Sequence, residues 1–547
     1  MQKYARSTGT RALLTLLIMC AGTLCERSLT AQNASQPAAI PPPPMGWSSW
    51  NSFSNIVDSR IVMDQARAMI SSGMHKAGYQ YINIDEGWWL GKRDEQSNFV
   101  IDEKAWPAIQ AGERAGDMAN IVRFIHGLGL KAGIYTDAGE SGCSMYPDLG
   151  PKYFHAGSEG HYEQDFLQFA KWGFDYVKVD WCGGDKENLD PEVQYAEIAR
   201  AIDRAATITG HRLYFSLCEW GKNSPWTWAP NVGGSPADVW RTSGDIVDPI
   251  VAGHEHADRK ASFTKMLANF DQGIHPEAEH TGYYNDPDMM VLGMPGFSDE
   301  QNRVHMALWA ISAAPLLVGA DLTQLSPATL ATLTNRAVLA VNQDAAGLQA
   351  VKVAEPAQGV QVWSKALAEQ GRRAVVFLNR TASAQPVSVH WNELGLSDAP
   401  VHVTDVWTGQ PLQASHDGYT ATVPPGDAAM ILIEGKEGPA KQYDSSPTQE
   451  TAGHSDQHEL ARFAEVESRA PVARILITYS NPDPTNRYAE LRVNGQVATR
   501  IAFPSTGSGG AATVWIQANL DRSGAHNQLT FSDVCQPGPT IRSITVE

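Results

Sequence analysis

Between residue 45 and about residue 344, short apolar runs recur. Each is followed by a loop and then by a stretch with apolar residues three and four apart. The runs at 45–50, 79–85, 131–137, 176–180, 213–219, 239–243, 283–286 and 316–320 read as buried strands. Stretches such as 63–72, 118–128, 162–171, 195–206 and 301–313 read as the intervening helices. Eight strand–helix units over about 300 residues predict a (β/α)8 barrel of the α/β class. Five of the strands end on or just before an acid: Asp85-Glu86, Asp137, Asp180, Glu219 and Asp245. The turn Asn285-Asp286-Pro287-Asp288 supplies a sixth position. A lone acid there could cap the next helix. Six of them, at the strand ends where barrels build active sites, point to chemistry.

At 547 residues the chain is long enough for about three domains. Residues 346–436 change to short alternating strands such as Val360-Gln361-Val362-Trp363, which predicts an antiparallel β-sandwich after the 43–345 barrel. A polar stretch at 437–458 reads as a linker. Short strands resume at 459–547, with Asn494-Gly495 as a hairpin turn, predicting a second, smaller all-β domain.

At the other end, Lys3, Arg6 and Arg11 precede an apolar run of about twelve residues, too short to span a bilayer. Residues 1–31 therefore read as a signal peptide, 32–42 as a Pro-rich tether, and the protein as secreted or periplasmic. The formal charge of −18 disfavours nucleic acid and anionic membrane surfaces as partners. No CxxC or HExxH stands in the sequence, so no metal site is expected.

Two acids are placed for work on an anomeric carbon, which needs one carboxylate to attack and one carboxyl to protonate the leaving oxygen. Asp180 ends an apolar run with Lys178 two residues earlier, on the same strand face, where a cation favours the ionised carboxylate. Asp245 follows the sixth strand with Arg241 nearby.

Seven segments stand in one order: Met45-Gly46-Trp47-Ser48-Ser49-Trp50-Asn51, Ile84-Asp85-Glu86, Gly133-Ile134-Tyr135, Lys178-Val179-Asp180, Cys218-Glu219-Trp220, Arg241-Thr242-Ser243-Gly244-Asp245 and Asn285-Asp286-Pro287-Asp288-Met289. With them the chain closely resembles the melibiase family of glycoside hydrolases, the α-galactosidases, over residues 43–435. The resemblance implies an exo-acting, retaining enzyme without metal or organic cofactor, acting on a carbohydrate. Asp180 matches the nucleophile and Asp245 the acid/base, with carboxyl groups about 5–5.5 Å apart. Lys178 and Arg241 match sugar-hydroxyl ligands, Trp50 an aromatic wall, Met289 an apolar contact, and Tyr135 and Asp288 polar contacts. Glu219 matches a substrate or supporting position. Cys143 and Cys182 match a disulfide pair; Cys218 and Cys535 are expected to be free.

The sequence departs from the family at Asp85-Glu86, where the usual pair is Asp-Asp. Those acids hold hydroxyls on the 4- and 6-side of galactose. The extra methylene of Glu86 would reach towards the exocyclic CH2OH, which β-L-arabinopyranose lacks. An α-galactosidase is therefore expected, with a β-L-arabinopyranosidase as the alternative and a catalytically dead sugar-binding protein as the remote one. With Tyr488-Ala489-Glu490-Leu491-Arg492-Val493-Asn494-Gly495, Phe503-Pro504-Ser505-Thr506-Gly507 and Ile544-Thr545-Val546-Glu547, the last domain is similar to β-sandwich carbohydrate-binding modules.

Overall fold

The structure, a computed structural model, describes residues 36–37, 40–143, 157–230, 237–247, 260–279, 281–397, 401–446, 458–468, 472–521, 526–533 and 537–547. The expected signal segment, Cys535 and the middle of the expected linker lie outside them.

Eight parallel strands form one sheet: β1 (Met45–Ser48), β2 (Tyr81–Asn83), β3 (Lys131–Asp137), β4 (Tyr176–Asp180), β5 (Tyr214–Leu217), β6 (Val239–Arg241), β7 (Tyr284–Asp286) and β8 (Leu316–Val318). They run in the order β7-β6-β5-β4-β3-β2-β1-β8. A parallel bridge between Met290, just past β7, and Val318 of β8 closes the ring. Near-continuous burial along each strand is what a sheet covered on both faces requires. The one-turn α1 (Trp50–Phe53) follows β1 at the barrel rim, and helices clothe the outside, α2 (Ser59–Ser71), α3 (Ala119–Gly127), α4 (Tyr162–Trp172), α5 (Pro191–Thr209), α6 (Phe263–Gln272) and α7 (Asp299–Ile311) among them. Asp58 accepts from Ile61 N at 2.7 Å to start α2, and a Ser298–Gln301 capping box starts α7.

Two barrel details depart from expectation. Trp50, expected at the end of the first strand, is instead the first residue of α1. Between β5 and β6 the described residues hold only the short turn Pro225–Thr227 in place of a full helix. Aromatic rings cover the gap: Trp226 stacks on His275 at 3.7 Å, and Trp228 lies 6.0 Å from Tyr195 of α5.

The second domain is a sandwich of a six-stranded and a two-stranded antiparallel sheet. Its strands alternate; in Gln385–His390, Val387 and Val389 are buried while their neighbours are not. The third domain joins a four-stranded sheet to a five-stranded one. Asn494 and Gly495 both adopt positive φ, 51° and 82°, as a tight hairpin turn requires. Two stretches expected as connections carry strands of that five-stranded sheet. Lys441–Asp444, within the expected linker, pairs with Thr540–Val546. Gln36–Pro37, within the expected tether, pairs with Ala512–Asn519. Both are polar or Pro-containing, and each becomes a strand only through a partner close to or beyond a hundred residues away.

The third domain is fixed to the second. Glu437 accepts from Arg373 of the sandwich at 2.6 Å and lies 3.4 Å from Arg474 of the third domain; Arg474 also reaches Glu547 at 2.5 Å. Gln517 donates to the carbonyl of Gln349 at 3.0 Å. Each of these ions is mostly buried, so losing one partner would strand the others.

Candidate active site

Strand register assembles the site. Pairing of β3 with β4 sets Tyr135 beside Lys178 and Asp137 beside Asp180. Pairing of β6 with β7 sets Arg241 beside Asp286. All point to the carboxyl end of the barrel, where Asp85 and Glu86 follow β2 and Glu219 follows β5.

Lys178 stands at the centre. Its Nζ lies 3.1 Å from Asp85 Oδ2, 3.4 Å from Asp180 Oδ2, and 5.3 Å from the Tyr135 ring centroid. Burial opposes its charge, but Asp180 and Asp85 together outweigh it and hold the ammonium above its usual pKa. At Asp180 the expected effect of Lys178 is present but outweighed. Burial raises its pKa above the ordinary carboxylate range, and Lys178 offsets only part of that rise. The sequence displays the cation but not the depth at which the pair is held.

Arg241 anchors the second acid. One end of its guanidinium lies 3.1 Å from Asp245 Oδ1 and the other 3.1 Å from Asp288 Oδ1. The Asp245 side chain is 36 % exposed, against 7 % for Asp180, so the two carboxylates differ sharply in access to solvent. Asp288 takes a positive φ of 114° and accepts from Ile246 N at 2.7 Å, tying the β7 loop to the one that carries Asp245. Burial pushes the Asp288 carboxyl up to about 7.

Trp50, Met289, Leu317, Tyr176 and Tyr214 form one apolar cluster. Tyr135 is fully buried, and neither its hydroxyl nor Glu219 Oε1 has a hydrogen-bond partner among the described residues. Buried polar atoms of that kind are rare unless a ligand uses them. Glu86 is fully buried too, its charge felt by Tyr135 and Asp137. Every sequence-predicted site residue therefore lies at this end of the barrel.

Cys143 and Cys182 are joined, with Cα atoms 5.0 Å apart. The bridge packs its Cys143 sulfur 3.5 Å from Asp180 Oδ2. Asp137 holds the same loop: Oδ1 accepts from the amides of Gly139 and Gly183, and Oδ2 from that of Cys182, all at 2.9 Å. A Cβ on Gly183 would stand 2.8 Å from that carboxylate, which explains the glycine. Asp137 thus orders a strand-end loop. Asp137, Cys143 and Cys182 lie close enough to suggest a metal trio, but the two sulfurs are already bonded to each other. Cys218 is free and buried, 3.9 Å from Arg241. Trp220, absent from the predicted set, follows Glu219 with φ 57°, a strained conformation for a bulky residue. Its place in the Cys218-Glu219-Trp220 motif was the available signal.

Glu219 gives a pH test. Burial pushes its carboxyl up to about 7, against hydrogen bonds from Asn223 N and Nδ2, both at 2.7 Å. The folded state then keeps a proton that the unfolded chain has lost, so stability falls as pH rises from about 4.5 to 7 and levels above that. The thermal midpoint should decline across this window. Glu219→Gln, with no proton to lose, should decline less, by several degrees. Equal slopes for the two proteins would refute this.

Comparison with known proteins agrees with this geometry. The family profile described as alpha galactosidase A matches residues 42–344, its C-terminal beta sandwich domain 357–433, and the alpha-galactosidase CBM13 domain 461–546. Alpha-galactosidase A of Cellvibrio japonicus is 38% identical over 382 residues, 70% of this chain and 86% of the relative. The alpha-galactosidase of Oryza sativa is 36% identical over 392 residues, covering 72% and 84%. Among solved structures, alpha-galactosidase I from Mortierella vinacea superimposes with TM-score 0.62 at 28% identity, over 73% of this chain and 98% of that one. A β-L-arabinopyranosidase from Geobacillus stearothermophilus shares the fold, with TM-score 0.60 at 23% identity over 72% of this chain and 96% of that one. The chain belongs to the melibiase family, as a glycoside hydrolase of the α-galactosidase type.

Proposed function

We propose that this enzyme removes terminal α-D-galactosyl residues from oligo- or polysaccharides by double displacement. The observation that carries the reading is the contrast between Asp180, buried on Lys178, and Asp245, held by Arg241 yet open to solvent. Asp180 attacks the anomeric carbon, giving a glycosyl ester. Asp245 gives its proton to the departing oxygen, then takes one from the water that cleaves the ester. Lys178 favours the charged form of the nucleophile and offsets part of what burial costs it. Tyr135, Asp85, Glu219 and Asp288 offer polar contacts to ring hydroxyls, and Trp50 and Met289 an apolar wall. The basic, apolar N-terminal run supports action outside the cytoplasm. A time course by NMR on an aryl α-galactoside tests the route: α-galactose must form first. β-Galactose as first product would overturn it.

Glu86 favours a second activity on β-L-arabinopyranosides. Its extra methylene stands where the family has Asp, and one methylene in a pocket shifts discrimination by roughly tenfold or more. Glu86→Asp should therefore move the ratio of kcat/KM for aryl galactoside over aryl arabinopyranoside towards galactoside by about tenfold. An unchanged ratio would remove the steric role of Glu86.

A further inference from the structure

A cleft of ≈ 660 Å³ opens on the same rim of the barrel as Asp180, on the other side of α1 from the proposed sugar wall. Its volume falls within the roughly 300–1,000 Å³ of small-molecule sites. Three loops enclose it, those after β1, β7 and β8. α1 is the partition. Trp50 turns into the cluster with Met289 and Leu317, while Ser52 and Phe53 line the cleft. Ser52 Oγ donates to the carbonyl of Gly319 at 2.7 Å, fastening the partition to the end of β8. The opposite wall, Met294 and Pro295, lies a few residues beyond Met289.

The lining is apolar at its faces and polar at its edges, where Arg60 supplies a cationic donor. Phe53, Met294 and Pro295 join Ile56, which is 52% exposed, unusual for a large aliphatic side chain in this protein. The acids are already engaged. Asp321 Oδ1 accepts from Gln65 Nε2 at 2.7 Å and from Thr323 N at 3.0 Å, and Asp64 pairs with Arg67 at 3.2 Å. Thr323 and Gln324 edge the cleft with neutral polar groups. Apolar faces rimmed by hydrogen-bonding groups, among them Arg60, Thr323 and Gln324, suit the apolar faces and hydroxyl edges of a pyranose.

We propose that this cleft binds the leaving-group saccharide, holding neutral pyranose units beyond the bond that is cut. The proposal rests on the glycosidase reading of the neighbouring site. It makes the enzyme selective for what the terminal sugar is attached to, not only for that sugar.

The test compares an aryl α-galactoside with an α-galactosylated oligosaccharide carrying at least three leaving-group sugars. Ile56→Asp and, separately, Gln324→Trp should lower kcat/KM for the oligosaccharide by about five- to tenfold, mainly through KM. The aryl galactoside should change less than about twofold, since it cannot fill the cleft. Ile208→Asp, at a side chain 65% exposed on α5, should move neither substrate. Oligosaccharide constants unchanged in both cleft variants, or falling equally on both substrates, would overturn the cleft while leaving the catalytic reading intact. Failure of the unaltered enzyme on both substrates would instead overturn the catalytic reading, and the cleft with it.

Discussion

Asp180→Asn is expected to lower kcat on an aryl α-galactoside by about 10⁵-fold, the scale of removing a covalent nucleophile. Stability moves the other way. Ionised Asp180 is held against a burial cost that Lys178 only partly offsets. An uncharged amide removes that cost, and Lys178 keeps Asp85 at 3.1 Å as its partner. The variant should therefore melt at or slightly above the temperature of the parent at pH 7. This combination separates a lost nucleophile from a lost fold. Asp180→Gly extends it: added azide should enter from the vacated face, restore turnover and yield the β-glycosyl azide. A well-folded Asp180→Asn that retains full hydrolysis would end the assignment of this residue.

Asp245→Asn has the second largest effect, with a different signature. Loss of a positioned acid costs roughly 10²–10⁴-fold, and more where the leaving group is a poor one. With an activated nitrophenyl leaving group the first step needs little protonation, so the ester should form readily and then accumulate. A rapid burst of nitrophenol followed by slow release is the expected trace. With an unactivated sugar leaving group no burst should appear, and kcat/KM should fall by about 10³-fold or more. Arg241 loses one of its two carboxylates in this variant but keeps Asp288 at 3.1 Å, so the loop it anchors should hold. A loss independent of the leaving group would contradict an acid/base role.

The sequence exposes the barrel well where strands are long and apolar. The ranges read for 131–137 and 176–180 coincide with β3 and β4. Buried residues on both faces leave no ambiguity there. At 45–50 the reading overshoots because Trp and Ser suit a strand as well as a helix start. Ser52 resolves it through a hydrogen bond to Gly319, more than 250 residues away, which no local pattern reveals. The hairpin formed by Trp89–Arg93 and Phe99–Ile101 was not read at all. Its rings, Trp88 and Trp89 against Phe99, serve packing. The candidate site was legible as an ordered set of acids at strand ends. Their division of labour was not. Asp137 ties three amides while Asp180, its neighbour in register, faces Lys178; identical residue types at paired positions cannot tell that from sequence. Likewise Lys178 was visible beside Asp180, but the depth that reverses the net pKa shift arises from the closed ring around them.

The ring closes at its weakest seam beside the sugar wall. Among the described residues, the bridge between Met290 and Val318 alone joins β7 to β8, with Met290 N on the carbonyl of Leu317 at 2.7 Å and Gly319 N on the carbonyl of Met290 at 2.8 Å. The other strand pairs hold at least two residues in register. A seam this short is where a cylinder of strands would part first in local opening. The residues on its two sides, Met289 and Leu317, belong to the cluster that receives the ring in the proposed function. Bound sugar would then act as a rivet across the stave joint, and the empty enzyme would breathe along the line that its substrate seals.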